Sequence, residues 1–124
     1  MVDLWEFRSA YHESRVIKAV DTDNNIVGMI LLEFGDGVAH FGPLAVDPKY
    51  RGLGIAKSLV TYAEKTAAAQ GFGKMEIFVA CLREELFTYY ERMGYNKCGT
   101  RPYPHPEKLS RPVHFVIMSK SLTE

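Results

Sequence analysis

Val46-Asp47-Pro48-Lys49-Tyr50-Arg51-Gly52-Leu53-Gly54-Ile55-Ala56 is the stretch on which the reading of this chain turns. An apolar run, VAHFGPLAV at 38–46, precedes it. IAKSLVTYAEKTAAAQ at 55–70 follows, with Ile55, Leu59, Tyr62, Ala63 and Thr66 at helical spacing and Gly71 as a stop. The stretch thus carries the chain from a strand into a helix, with glycines where the helix begins. A helix start leaves four backbone N–H groups without partners and bears partial positive charge. Without side chains at Gly52 and Gly54, a phosphate can approach those donors closely, and Lys49, Arg51 and Lys57 add a basic rim. Single positions exclude two familiar phosphate loops. A Walker A loop ending at Lys57-Ser58 needs glycine where Arg51 and Ala56 stand, and a dinucleotide fingerprint from Gly52 needs glycine where Lys57 stands. A glycine-rich turn with no ligand is the plain alternative.

Outward from this stretch the chain alternates in type. RVIKAV at 15–20 and IVGMILLEF at 26–34 read as strands around the turn-rich DTDNN. GDG at 35–37 joins the second of these to 38–46 as a hairpin. Gly42-Pro43 lies inside 38–46, and because proline donates nothing to a ladder, a bulge or a break in pairing is expected there. KMEIFVA at 74–80 is a further strand, and REELFTYYERM at 83–93 a second helix with Leu86, Phe87, Tyr90 and Met93 on one side and Gly94 at its end. YNKCGT at 95–100 and VHFVIMSKSL at 113–122 close the chain as strands. Helices set midway through a mostly antiparallel run imply a mixed α/β sheet.

Composition bounds the rest. The chain has 124 residues, with 15 Lys and Arg balanced by 15 Asp and Glu, 47% hydrophobic and 24% charged residues. One domain over residues 1–124 with a real core is expected, and disorder is not. The balanced charge gives no reason to expect nucleic acid as a partner. No run approaches the ~20 apolar residues of a membrane span, and the charged first fifteen residues do not read as a secretory signal, so a cytoplasmic protein is expected. Cys81 and Cys98 read as reduced thiols, and the four histidines and two cysteines lack metal-ligand spacing.

Two motifs together give the chain a resemblance. Arg51-Gly52-Leu53-Gly54-Ile55-Ala56 is similar to the Gln/Arg-x-x-Gly-x-Gly/Ala signature of the GNAT superfamily of acetyl-CoA-dependent N-acetyltransferases. Downstream, Tyr89-Tyr90-Glu91-Arg92-Met93-Gly94-Tyr95 resembles that family's aromatic and Tyr-x-x-x-Gly-aromatic pattern. Pro43-Leu44-Ala45-Val46-Asp47-Pro48 resembles the strand end before the signature, so the likeness spans roughly residues 26–100. It implies a sheet whose central strands, 38–46 and 74–80, splay into a V around coenzyme A. It implies cofactor contacts from Leu44, Ala45, Val46, Arg51, Gly52, Leu53, Gly54, Ile55, Ala56 and Tyr90, and an amine acceptor, small molecule or peptide. Arg83 stands where many members carry Asn, which puts one pantetheine contact in doubt and leaves Arg83 able to reach a phosphate or carboxylate. The strand and helix pair that usually open the fold are expected to be shortened or absent before Arg15, with MVDLWEFRSAYHE expected to supply one element or a homodimer partner to complete the wall.

For catalysis, the resemblance makes Tyr90 the acid that protonates the departing coenzyme A thiolate, with a packed helical aromatic as the alternative. His40, six residues before Val46, holds a position where several members keep a glutamate or histidine as base or in a water relay. Imidazole titrates near neutrality and suits proton removal. The alternative for His40 is a half-buried side chain on a strand face. Glu33 is a weaker second base, Tyr89 is expected to pack elsewhere, and Arg101, Tyr103 and His105 border the acceptor mouth or form a rigid linker. The rival functional readings are a CoA-binding sensor without turnover and a P-loop-like nucleotide binder.

Overall fold

The computed structural model describes residues 3–8, 14–35, 37–102 and 113–123. Its strands follow the period-two pattern of a sheet with one face on a core. In β2 (Ser14–Val20) Ile17 and Ala19 are fully buried, while the alternate Val16, Lys18 and Val20 are only partly so. β2 is joined in one seven-stranded sheet by β1 (Asp3–Arg8), β3 (Ile26–Phe34), β4 (Ala39–Val46), β5 (Lys74–Ala80), β6 (Asn96–Pro102) and β7 (His114–Ser121). Their order is β1-β2-β3-β4-β5-β7-β6, and every pair is antiparallel except β4 with β5. The mixed α/β sheet expected from the sequence is therefore present. The opening segment supplies its extra element as the edge strand β1, while Tyr103 and His105 lie outside the described residues.

The β4–β5 junction is the distinctive feature. These strands pair at Ala39–Met75 and His40–Glu76 and nowhere beyond. On its other edge β4 stays with β3 through a bulge in which Gly42 and Pro43 together oppose Leu31, between the Leu32–Phe41 and Ile30–Leu44 pairs. Proline is tolerated where pairing is interrupted, and Gly42, at φ 146°, takes a backbone angle that side chains disfavour. The two central strands thus part after His40 and Glu76, which is the expected V.

α1 (Ile55–Ala69) and α2 (Glu84–Glu91) lie on one face of this sheet. α1 buries Ile55, Leu59, Val60, Ala63 and Ala67. The buried stripe is rotated from the expected one: Val60 and Ala67 replace Tyr62 and Thr66, because the larger and more polar pair sits at the margin while small alanines allow close approach to the sheet. Gly28 on β3 is the counterpart of that approach. A Cβ there would meet Ile55 Cγ2 at 3.1 Å, Leu59 Cδ1 at 3.2 Å and the Ala45 carbonyl oxygen at 3.3 Å. From α2, Tyr90 reaches Phe41 on the same face, with ring centroids 6.0 Å apart. Among the described residues no helix is long and apolar enough to cross a membrane.

Gly28→Val should therefore overpack the α1–β3 contact and lower stability by about 1–3 kcal/mol, read from the urea midpoint at constant slope. An unchanged midpoint would show that α1 is free to move away from the sheet.

Candidate functional site

Where β4 leaves β5, a cavity of about 840 Å³ opens between the end of β4, the start of α1 and one side of α2. It gathers most of the residues singled out in the sequence: Leu44, Ala45 and Val46 from the strand, Arg51, Gly52, Gly54, Ile55 and Ala56 from the turn, Arg83 and Tyr90 from the second helix. Leu53 is 69% exposed at the tip of the turn and is not part of the lining, and His40 is also outside it.

The turn is built as the glycine spacing implies. Gly54 caps α1 with φ 78°, Gly52 has φ 80°, and both angles belong to the left-handed region that glycine alone adopts without strain. A Cβ at either position would meet no atom within 4 Å. The α1 start receives no side-chain cap and has no acidic residue in its first turn, so its leading N–H groups face the cavity uncompensated. Lys57 joins Arg51 at the same wall. Such a donor set suits an anion with several oxygens, which is the chemistry of a diphosphate.

A chain of hydrogen bonds anchors this turn to the sheet. Asp47 N–H donates to the Val27 carbonyl at 2.8 Å, and the Asp47 side chain accepts from Lys49 N–H at 2.9 Å, closing a short 3₁₀ turn at Pro48–Tyr50. The Tyr50 hydroxyl then donates to Asp21 Oδ2 at 3.0 Å. Asp21 is itself held by N–H groups of Asp23 and Asn25, both at 2.9 Å. The Asn25 N–H bond, foremost among these, keeps the Asp21 carboxyl below its ordinary value, and the bond to Asp21 raises the Tyr50 hydroxyl. Tyr50 was not anticipated as a lining residue, since its partner lies 29 positions away.

α2 contributes more than its expected stripe. Tyr89, which the sequence reading sent elsewhere, lines the cavity beside Tyr90, their rings 5.2 Å apart and edge to face. The spacing 86, 89, 90, 93 is itself a helical face and is the signal that marks it. Arg92 is a further lining residue that no motif indicated. Arg83, in the place of the usual Asn, turns its Nε to Glu85 Oε1 at 2.7 Å on the exposed surface. Tyr90 is 8% exposed; burial first, and neighbouring Tyr89 second, push its hydroxyl above the ordinary phenol value, so it holds its proton at neutral pH.

Tyr95 backs this wall. It is fully buried, packs edge-on against Phe41 and Tyr90, and donates to Glu64 Oε2 at 2.7 Å. Glu64 Oε1 accepts from Lys120 Nζ at 2.9 Å. One carboxylate thereby ties α1 to β7 and to the segment after α2.

His40 sits at the split on the opposite sheet face, since its neighbours Ala39 and Phe41 are buried on the helix side. Its Nδ1 lies 2.9 Å from the Glu76 carbonyl oxygen. A carbonyl only accepts, so Nδ1 carries the hydrogen and the neutral ring keeps its lone pair at Nε2. Nε2 points toward Gly42, where a Cβ would stand 3.9 Å away.

Fold and site together define a family. Residues 1–95 match the sequence profile of the acetyltransferase (GNAT) family, so the chain belongs to that family and is an acyltransferase. Solved structures agree in fold. Nourseothricin acetyltransferase is similar with a TM-score of 0.80 at 22% identity, over 89% of this chain and 66% of its own length. An aminoglycoside 6'-N-acetyltransferase complexed with coenzyme A gives 0.77 at 22% identity, over 90% of this chain and 74% of its own. The ribosomal-protein-S18-alanine N-acetyltransferase from Escherichia coli gives 0.80 at 13% identity, over 100% of this chain and 96% of its own.

Tyr95→Phe keeps the ring and removes the bond to the Glu64 carboxylate. It should lower stability by about 1.5–3 kcal/mol in chemical denaturation; a wild-type midpoint would mean the Glu64 network carries no part of the fold's stability.

Proposed function

We propose that this chain is an N-acetyltransferase that moves an acetyl group from acetyl-CoA to a primary amine by direct transfer. The observation that carries this is the uncapped, glycine-flanked start of α1 facing a cavity that opens where β4 and β5 separate. Acetyl-CoA supplies the acetyl group already activated as a thioester. Backbone N–H groups from Gly52 to Ala56, with Arg51 and Lys57 beside them, bind its diphosphate. The edge of Leu44–Val46 that lacks β5 as a partner offers backbone donors and acceptors for the pantetheine amides, because unpaired backbone groups need partners. Aminoglycoside and protein acetyltransferases among the similar structures support an amine acceptor, small molecule or peptide.

Direct transfer requires a neutral amine. An alkylamine with a pKa near 10.4 is neutral in roughly one molecule in 2,500 at pH 7, which costs about 4.6 kcal/mol. His40 offsets part of this by accepting a proton at Nε2, the nitrogen not bonded to the Glu76 carbonyl oxygen. Tyr90 keeps its proton for the leaving sulfur. General acid and base groups of this kind contribute about 10²–10⁴-fold each.

Two measurements test the reading. Gly54→Asp puts a carboxylate at the diphosphate position and a side chain at φ 78°, so calorimetric affinity for acetyl-CoA should fall at least tenfold; unchanged affinity would remove the cradle. Thiol release over an amine panel should show Tyr90→Phe with kcat lowered about 10²-fold at near wild-type coenzyme affinity, and His40→Gln without the acidic limb of the pH profile. Wild-type kinetics in either variant would strike that residue from the mechanism. Acetyl-CoA binding with no turnover on any amine would instead make the chain a coenzyme-binding module.

A further inference from the structure

The face of the sheet turned away from α1 and α2 carries a second group of side chains at the same split. His40 stacks on Phe78 with centroids 4.7 Å apart, Phe78 lies 6.3 Å from Phe115, and the Arg101 guanidinium stands 4.9 Å over the Phe78 ring. Strand register aligns them: Phe78 and Phe115 alternate with the buried Ile77, Val79 and Met118, and Arg101 pairs with Phe115. Imidazole and guanidinium therefore share a single phenyl ring as their floor.

Charged side chains flank this group. Glu33 pairs across the sheet with His40, and Glu76 lies beside His40 on β5 with Lys74 Nζ 3.2 Å from its carboxylate. Two carboxylates, one of them paired with Lys74, thus flank His40. At the far end Arg101 is exposed and has no carboxylate within ion-pair reach among the described residues. A guanidinium lying over a ring keeps its in-plane N–H edge open, and that edge matches a carboxylate with two parallel bonds.

We propose that the acceptor is a small amine that also bears a carboxylate and an apolar side group, the class of free apolar or aromatic amino acids, with Arg101 as its specificity-determining residue. The inference rests on the acetyl-transfer reading above. The amine is received at the acidic His40 end, where Nε2 takes its proton. The carboxylate is held by Arg101, and the apolar group lies beside the Phe78 side chain between the two. The shared floor limits the spacing of the two charged groups to that of a small molecule. A polycationic acceptor would bring like charge against Arg101.

The test uses thiol release from acetyl-CoA by the full chain with phenylalanine, phenylalanine amide, phenethylamine and spermidine, beside calorimetry with acetyl-CoA. Phenylalanine should exceed its amide and phenethylamine at least tenfold in kcat/KM. Arg101→Gln should bring those ratios to within about twofold at unchanged acetyl-CoA affinity, and Arg101→Lys should restore part of the preference. Spermidine or the amide serving as well as phenylalanine, no turnover of any of the four, or a preference that survives in Arg101→Gln would overturn the proposal. Failure of the wild type to bind acetyl-CoA would overturn the parent reading as well, which separates the two outcomes.

Discussion

β4 and β5 share two paired rows and then separate, and that limited pairing organises the molecule. A fully paired sheet would satisfy its backbone internally and leave no opening between its central strands. Here the interruption is fixed by covalent structure, since Pro43 has no N–H to donate and Gly42 accepts an angle that other residues resist. β3 resumes pairing on the far side of the bulge, its register shifted by one residue, and so holds β4 in the sheet. The break therefore yields a defined gap with an open backbone edge, and α1 begins close enough for its uncapped start to face the same space. One local defect in a ladder thus places an open strand edge beside a donor cluster.

What the sequence revealed and what it hid divide by range. The strand-to-helix turn, its glycines and the break at Gly42-Pro43 are local, so their chemistry could be read from neighbouring residues. Contacts between distant segments could not. The Tyr50–Asp21 bond spans 29 positions and Tyr95–Glu64 spans 31, and no spacing rule links such pairs. Nothing in the strand pattern of 26–34 marks Gly28, yet it is the place where α1 comes within 3.1 Å of a missing Cβ. Helix faces were read only to within one residue's rotation: Val60 and Ala67 displaced Tyr62 and Thr66, and Tyr89 proved to face the cavity. Periodicity counts apolar residues, whereas packing selects those small enough for the distance available.

The edge strand β1 was read only as some unspecified element for a related reason. DLWEFR has adjacent apolar residues at 4 and 5 and no clean alternation, and it gains its identity by pairing with β2 from Asp3–Val20 to Arg8–Arg15. Strand character at an edge is conferred by the neighbour, and propensity reports it weakly. The site residues divide in the same way. Arg51 through Ala56 could be named from a motif, whereas Arg92 and Tyr50 became lining residues only when three elements converged.

The same interruption explains why His40 differs from an ordinary strand histidine. It occupies the last row before β4 and β5 separate, so the Glu76 carbonyl oxygen lies within 2.9 Å of its Nδ1 while nothing from β5 pairs with β4 beyond it. One step earlier along the strand, Ala39 is buried and carries no functional group; one step later, Phe41 faces the helices. At this register a side chain meets both a fixing carbonyl and the end of β4–β5 pairing. The Phe78 ring beneath it limits the tilt of the imidazole, and Gly42 leaves the direction of Nε2 clear. The open edge beside the cavity and the orientation of the imidazole on the other side therefore have one structural origin. A substitution that extended β4–β5 pairing by a row would shorten that open edge.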